Sequence, residues 1–274
     1  MKRTMLTLIP VLFAALLAVP VQAPAATRAV PFIDMNNNGV FDSGDVDVSA
    51  QLNGSGVVTT SESIVVPANS GTHVNRAYGY TLSAGKNVTI LSNLTAQGAT
   101  IDVRSETGSI VVGPRVRLLA GAIQLTAQVD VLIGAQAGFS ANDSYLMVEA
   151  IDGAVVGGDG VQLSGSERVE INTYNAGGVK LNGATFNAMK GLINLHVGGN
   201  AELVGSKLMG ADVNVSSDGS LVDMHDGYVR AAPRSGFVFI TVDGAGSKLD
   251  CSDTRWGVTA DNRVLEADTV LVKY

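Results

Sequence analysis

The chain has 274 residues, a formal net charge of −7, 5% aromatic residues and one cysteine. The negative charge excludes nucleic acid and anionic membranes as expected partners, because the sequence has no basic stripe to neutralise phosphates. The single cysteine, Cys251, excludes an intrachain disulfide, and we expect it to be a small buried side chain. Stability should therefore come from a repetitive core or from bound metal.

Residues 1–25 have the layout of a secretory signal peptide. Lys2 and Arg3 form a positively charged start, residues 5–19 are almost entirely apolar, and small residues follow at 23–26. The apolar run is too short for a convincing membrane span. We expect a secreted or surface-displayed mature protein without a membrane span, and an uncleaved anchor is the alternative.

The next segment, residues 26–54, contains the sharpest local motif of the sequence. Between Asp34 and Asp45, oxygen-bearing side chains occupy positions 1, 3, 5, 9 and 12 of a twelve-residue loop, and Gly39 occupies position 6. This pattern resembles an EF-hand-type calcium loop, and aspartate at position 12 resembles the dockerin version. The resemblance implies calcium as the cofactor, held by Asp34, Asn36, Asn38, the carbonyl of Val40, Asp42 and Asp45.

The residues that flank this loop do not predict two helices, so we expect a form with one helix or none. Because the loop precedes the first repeat, its predicted role is structural. It would pin an N-terminal cap over strand edges that otherwise aggregate. The alternative is an Asn/Gly turn with solvated acids.

Residues 55–274 contain three interleaved series of short apolar segments with a period of 20–25 residues. The first series begins at Ile101, Ile123, Leu146, Val169, Ile193, Val213 and Val238. The second begins at Val88, Ile110, Val131, Val155, Val179, Ala201 and Leu221. The third is placed at Leu94, Val116, Phe139, Val161, Phe186, Leu208 and Val229.

Three short strands per period, separated by turns rich in Gly, Asn, Ser and Asp, predict stacked coils with a common core. The predicted fold is all-β, a right-handed single-stranded parallel β-helix of about eight to nine coils. A β-sandwich is the alternative, but its strands should be longer and less regularly spaced.

The phrases at 121–127, 131–135 and 177–184 are similar to the repeats of bacterial filamentous-haemagglutinin-type adhesins. The similarity covers about residues 85–270. It implies the parallel β-helix and, with it, a role at the cell surface. The N-terminal partner-recognition domain of the large family members is not evident in this sequence.

One acidic cluster near the C-terminus is the candidate for catalysis. The segment from Asp223 through His225 to Asp226 and the segment from Asp250 to Asp253 lie 27 residues apart, so they should stack on adjacent coils. Two carboxylates and a histidine could support acid–base chemistry on a polysaccharide, or they could form a second metal site. Solvated turns are the alternative explanation, because aspartate is common at coil corners.

We therefore expect a secreted or surface-displayed binding or scaffold protein, adhesin-like or part of an extracellular matrix, rather than an enzyme. Its expected partners are a glycan or a surface protein, or copies of itself. Two alternatives stay open: a self-assembling extracellular fibre subunit, and a polysaccharide lyase or glycoside hydrolase.

Overall fold

A computed structural model describes residues 29–232, 235–258 and 260–272, so the predicted signal peptide lies outside the described residues. The protein is all-β, with 53% strand and 3% helix, and its parallel sheets form a β-solenoid of about nine turns. The predicted parallel β-helix is confirmed.

The strands are numbered in chain order. They are β1 (Phe32–Asp34), β2 (Val46–Asp47), β3 (Val57–Thr60), β4 (Ser63–Val66), β5 (His73–Asn75), β6 (Tyr80–Ala84), β7 (Val88–Ile90), β8 (Leu94–Ser105), β9 (Ile110–Val112), β10 (Arg117–Ala127), β11 (Val131–Ile133), β12 (Gly138–Ala141), β13 (Tyr145–Ala150), β14 (Val155–Gly157), β15 (Gln162–Gly165), β16 (Arg168–Thr173), β17 (Val179–Lys180), β18 (Thr185–Val197), β19 (Ala201–Glu202), β20 (Lys207–Ser217), β21 (Leu221–Asp223), β22 (Tyr228–Arg230), β23 (Val238–Val242), β24 (Lys248–Asp250), β25 (Arg255–Trp256), β26 (Arg263–Glu266) and β27 (Thr269–Leu271). One α-helix, α1, covers Ser49–Asn53, and a 3-10 turn covers Ala260–Asn262.

Each coil contributes to three faces. The first face is a twelve-stranded sheet that runs from β2 and β1 through β4, β7 and β9 to β27. The second face begins with β5 and the start of β8 and ends with β25, and the third begins with β3 and β6 and ends with β26. The long strands β8, β10, β18 and β20 bend from the second face to the third, and the pairs β8–β10 and β18–β20 shift register there.

The first predicted series forms the third face in the predicted register. Its seven starting residues are direct neighbours in consecutive strands: Ile101, Ile123, Leu146, Val169, Ile193, Val213 and Val238. All seven are buried, because alternate side chains of each strand point to the common axis. The second series likewise forms the first face, with Val222 in place of Leu221 opposite Ala201.

The third series is wrong at two positions. The neighbours of Leu94 and Phe139 in the second face are Leu118 and Leu163, whereas Val116 and Val161 lie two residues earlier, before the strands begin. A displacement of two residues keeps the same side of a strand facing inward. Val116 and Val161 are accordingly still buried.

The N-terminal end of the solenoid breaks the parallel pattern. β1 pairs antiparallel with both β2 and β4, and α1 follows β2 directly. Val48 and Leu52 on this segment are buried in the same apolar cluster as the coils. Cys251 is fully buried near the other end, and burial raises the pKa of its thiol to about 12.

Candidate functional site

The predicted calcium loop is closed by hydrogen bonds from its own backbone. The carboxylate of Asp34, 2% exposed, accepts the N–H groups of Asn38 at 3.2 Å and Gly39 at 2.7 Å. The carboxylate of Asp45 accepts those of Met35 and Asp42, each at 2.9 Å. The loop is therefore wound around its acidic side chains.

Asp42 lies on the exposed side of this loop. It accepts the Gly44 N–H at 3.0 Å and the side-chain amides of Asn36 at 2.9 Å and Asn38 at 3.0 Å. These bonds, that from Gly44 first, lower the pKa of its carboxyl. Asp42 is thus held in its charged form.

The loop also contacts the first coils. Asn37, in the left-handed region at φ 57°, accepts the Ser63 hydroxyl of β4 at 2.7 Å and the Asn87 amide at 3.5 Å. The ring of Phe41 packs against the buried ring of Phe32, with centroids 5.4 Å apart. A change in the loop would therefore reach the end of the solenoid directly.

The donor set of the loop suits a hard cation, because all six predicted ligands are oxygens. Within the described residues, no three His, Cys, Asp or Glu side chains form a group that could hold a metal. The three carboxylates of the predicted ligand set, Asp34, Asp42 and Asp45, are therefore not gathered into such a group in this structure. A bound cation would replace the bonds from Asn36 and Asn38 to Asp42.

The C-terminal cluster brings three of its five predicted residues together. Asp223 and Asp250 are neighbours in β21 and β24, and the Nδ1 atom of His225 lies 2.6 Å from Asp223 Oδ1. Lys248 Nζ and Ser252 Oγ contact Asp250 at 3.0 and 2.6 Å. The bond to Asp223 raises the pKa of His225, and the bond from Ser252 lowers that of Asp250 to about 2.

Asp226 and Asp253 have a backbone role in this cluster. Both have φ 56°, and each occupies the left-handed turn position of its coil. Gly160, Gly183 and Gly205 hold this turn position in earlier coils, where φ is also positive. Aspartate tolerates this conformation better than most residues, which accounts for its presence here.

The third face carries a second set of side chains, polar except for Met147, which we call the polar ladder. Two outward-facing rows run parallel to the solenoid axis over five coils. They are Gln124, Met147, Glu170, Asn194 and Asn214 in one row, and Thr126, Glu149, Asn172, His196 and Ser216 in the other. Parallel strands lie about 4.8 Å apart, so the ladder repeats at that interval.

Tyr174, directly after β16, joins three coils of the polar ladder. Its hydroxyl donates to Glu149 Oε1 at 2.7 Å, and its ring meets that of His196 edge-on at 6.3 Å. The bond to Glu149 raises the pKa of Tyr174 to about 12. The side chain is 38% exposed and presents a ring to solvent beside the polar rows.

Further bonds hold the rows in place. Arg168 Nη1 and the Asn172 amide donate to Glu170 at 3.0 and 3.2 Å, the Asn214 amide donates to Asn194 at 2.7 Å, and His196 Nδ1 lies 3.1 Å from Ser216 Oγ. Most of the ladder is uncharged, and the charge of Glu170 is paired with that of Arg168.

Sequence reasoning missed this arrangement, because Tyr174 and His196 are isolated along the chain. The signal was nevertheless present in the first repeat series. The residues three positions after its starting points Leu146, Val169, Ile193 and Val213 are Glu149, Asn172, His196 and Ser216.

No protein-family model, curated protein or solved structure matches this sequence. Across the described ranges, no helix is long and apolar enough to cross a membrane. The functional assignment therefore depends on the site geometry.

Proposed function

We propose that this protein acts outside the cytoplasm as a β-solenoid binding or scaffold module that recognises a glycan along the polar ladder. The observation that carries the proposal is the ladder itself: over five coils, two rows in register present amides, hydroxyls, carboxylates and one imidazole, interrupted only by Met147, with the Tyr174 ring beside them. A rigid sheet suits this role, because its side chains are positioned before the ligand arrives.

The chemistry of the ladder favours a chain of sugars. Sugar hydroxyls both donate and accept hydrogen bonds, as do the amides of Asn194 and Asn214. The apolar face of a sugar ring can pack on an aromatic ring such as that of Tyr174. A repeating polymer would meet equivalent groups on successive coils, about 4.8 Å apart.

Calcium belongs to the proposal as a structural ion. We propose that it binds the loop from Asp34 to Asp45 and stabilises the N-terminal end, because Asn37 and Phe41 join the loop to the first coils. Export and display at the cell surface are supported by the signal-like residues 1–25 and by the adhesin-like repeats.

A glycan panel tests the binding role. The wild-type chain should retain one class of polysaccharide, and the Tyr174→Ala and His196→Ala variants should each bind it at least about tenfold more weakly, since each removes a ladder contact. Tyr78→Ala is the matched control, because Tyr78 is 76% exposed and lies in the N-terminal part, away from the ladder.

Three outcomes would reject this role: no retained glycan, equal binding by all variants, or loss in the Tyr78 control as well. Light scattering on the same samples separates a binding module, which stays monomeric, from a self-assembling subunit, which forms oligomers or fibres.

The cluster of Asp223, His225 and Asp250 supports a second candidate, the cleavage of a polysaccharide. Its basis is the 2.6 Å contact between His225 and Asp223, with Asp250 on the next coil. Chain cleavage that disappears in Asp223→Asn and His225→Gln would support it. Cleavage that survives both changes would exclude this cluster as the catalytic site.

A further inference from the structure

A shallow cavity of about 250 Å³ lies near the N-terminal end, at the corner where the first face turns into the second. Residues from the turns 69–72, 91–93 and 114–116, on three successive coils, line it. Its volume is below the ~300–1,000 Å³ range of pockets for drug-sized ligands, so a ligand that fits must be small. The cavity is separate from the polar ladder, which lies on the third face.

The turns around this cavity carry positive charge and no negative charge. The segments 67–72, 91–93, 113–117 and 134–138 form this corner in four successive coils, and they contain two arginines but no aspartate or glutamate. The whole chain, by contrast, has 25 acidic residues and a formal net charge of −7. The corner therefore offers an anion a positively charged region on an otherwise acidic protein.

Arg115 supplies the charge within the cavity. Its side chain is exposed, and its Nε group donates to Gln136 Oε1, on the next coil, at 3.1 Å. This bond orients the guanidinium. In the part of the chain that the structure describes, its Nη groups make no hydrogen bond and its charge has no ion-pair partner. A planar guanidinium with free Nη groups can bind a carboxylate through two parallel hydrogen bonds.

Backbone donors line the same cavity. Gly71 and Thr72 are exposed, and among the described residues their N–H groups donate no hydrogen bond within the fold. The angle φ is positive at Asn69, 64°, and at Gly71, 96°, but not at Ser70 between them. Successive N–H groups in turns of this kind form concavities that bind anions. A Cβ atom built on Gly71 would meet no atom within 4 Å, so a ligand can approach this backbone.

Asn93, on the middle coil of the three, adds a side-chain donor. Its Oδ1 atom accepts the Arg117 N–H at 2.7 Å, and its Nδ2 group donates no hydrogen bond to any described residue. Leu91, Pro114 and Val116 add apolar atoms to the lining. The cavity thus combines free N–H donors with an apolar wall.

We infer that this cavity binds the carboxylate group of a small organic acid, at a second site that is independent of the polar ladder. The Nη groups of Arg115 bind the carboxylate, and the N–H groups of Gly71 and Thr72 donate to its remaining lone pairs. The apolar wall contacts the carbon skeleton of the acid. One guanidinium neutralises one negative charge, so a carboxylate fits better than a phosphate group, which carries about 1.5 to 2 charges at neutral pH.

A titration of the purified full chain with benzoate, followed by amide NMR, tests the site. Benzoate should shift the amide resonances of Gly71 and Thr72 in a saturable way. Benzamide has nearly the same shape but no charge to pair with Arg115, so it should bind at least about tenfold more weakly. Inorganic phosphate should also bind more weakly than benzoate. These comparisons use the wild-type protein, so they do not depend on the folding of any variant.

Arg115→Gln tests the guanidinium and should weaken benzoate binding at least about tenfold. The fold should be kept, because Gln136 holds the same turn position on the next coil, at φ 59° against 60° for Arg115. Arg117→Gln is the matched control. It removes the same charge two residues away, but Arg117 does not line the cavity. The control should therefore change the affinity by less than about twofold.

Four results would each overturn the inference. They are the absence of a saturable shift at Gly71 and Thr72, benzamide or phosphate binding as tightly as benzoate, wild-type affinity in Arg115→Gln, and equal loss of affinity in both arginine variants. The last would indicate diffuse surface charge. None of these results bears on glycan retention by the polar ladder, so this inference and the proposed function fail independently.

Discussion

The middle coils and the N-terminal end of the solenoid bury their apolar side chains in different ways. In the middle, each strand from β8 to β21 pairs in parallel with a coil on either side, and the contacts repeat from coil to coil. At the N-terminal end, β1 runs antiparallel, α1 adds Leu52 to the core, and single polar bonds such as Asn37–Ser63 hold the loop. Stability is distributed in the first region and depends on a few local contacts in the second.

The largest expected effect on stability comes from removing a side chain from the core of the middle coils. Phe186→Ala removes a fully buried ring between two coils and should lower the free energy of unfolding by about 3–5 kcal/mol. Leu52→Ala should act mainly at the end and reduce hydrogen-exchange protection there first. Denaturant unfolding and amide exchange measure the two effects. If both variants lost hydrogen-exchange protection equally along the whole chain, the proposed difference between the middle coils and the N-terminal end would be contradicted.

Calcium should change the stability of the N-terminal end more than that of the middle coils. At a hundredfold excess over its dissociation constant, a ligand that binds only the folded state adds about 2.7 kcal/mol. We expect a chelator to lower the melting temperature and to increase exchange around β1 and β4, with little change in the middle coils.

Asp34→Asn should remove the response to calcium, whereas Asp47→Asn, just outside the loop, should keep it. Asp47 is a fair control because it is an aspartate outside the loop, and its carboxylate accepts the Ser49 N–H at 2.8 Å. A melt that is the same with calcium and with chelator would exclude the structural ion.

Tyr80 offers a smaller effect in the direction of greater stability. Its hydroxyl is buried without a hydrogen-bond partner among the described residues, and burial raises its pKa to about 12. Tyr80→Phe removes this unsatisfied group and should raise the free energy of unfolding by about 1 kcal/mol. Tyr78→Phe, at an exposed position, should change it little. A less stable Tyr80→Phe protein would reveal a partner for the hydroxyl.

The smallest effect is the pH dependence contributed by His225. Its pKa is raised in the folded protein by Asp223, so its stabilising contribution is fully present below about pH 6.5, the ordinary value, and is lost as the pH rises through the folded value. The side chain is 39% exposed, so the change is small. The difference in melting temperature between wild type and His225→Gln should shrink from pH 6 to pH 8.5. If this difference in melting temperature did not change with pH, the ion pair between His225 and Asp223 would make no contribution to stability.

The fold was predictable because the apolar segments themselves recur at a regular interval along the chain. Ile101, Ile123 and Leu146 are each separated by one coil length, and the side chains of a strand alternate between its two faces. The pairing register of these strands could therefore be predicted from the sequence. The exact residue within a coil was less certain where turns vary in length. Val116 and Val161 were therefore placed in the second face two residues too early.

The candidate sites were predictable only where they are local. The loop from Asp34 to Asp45 is a contiguous motif, and the stacking of Asp223 and Asp250 follows from one repeat length. Tyr174, by contrast, contacts Glu149 and His196, which lie 20–25 residues away in the chain, and no contiguous pattern encodes these contacts.

By itself, the sequence determined the class of this protein: the alternation and the 20–25-residue period require stacked parallel strands, because a single coil cannot bury its apolar edge alone. Only the tertiary structure decided which polar side chains meet. Coil stacking brings residues about 4.8 Å apart whatever their separation in the chain, and the turn lengths set which of them share a row. The antiparallel β1 and the short helix at the N-terminal end also depend on that packing, since their sequences carry no strong local preference.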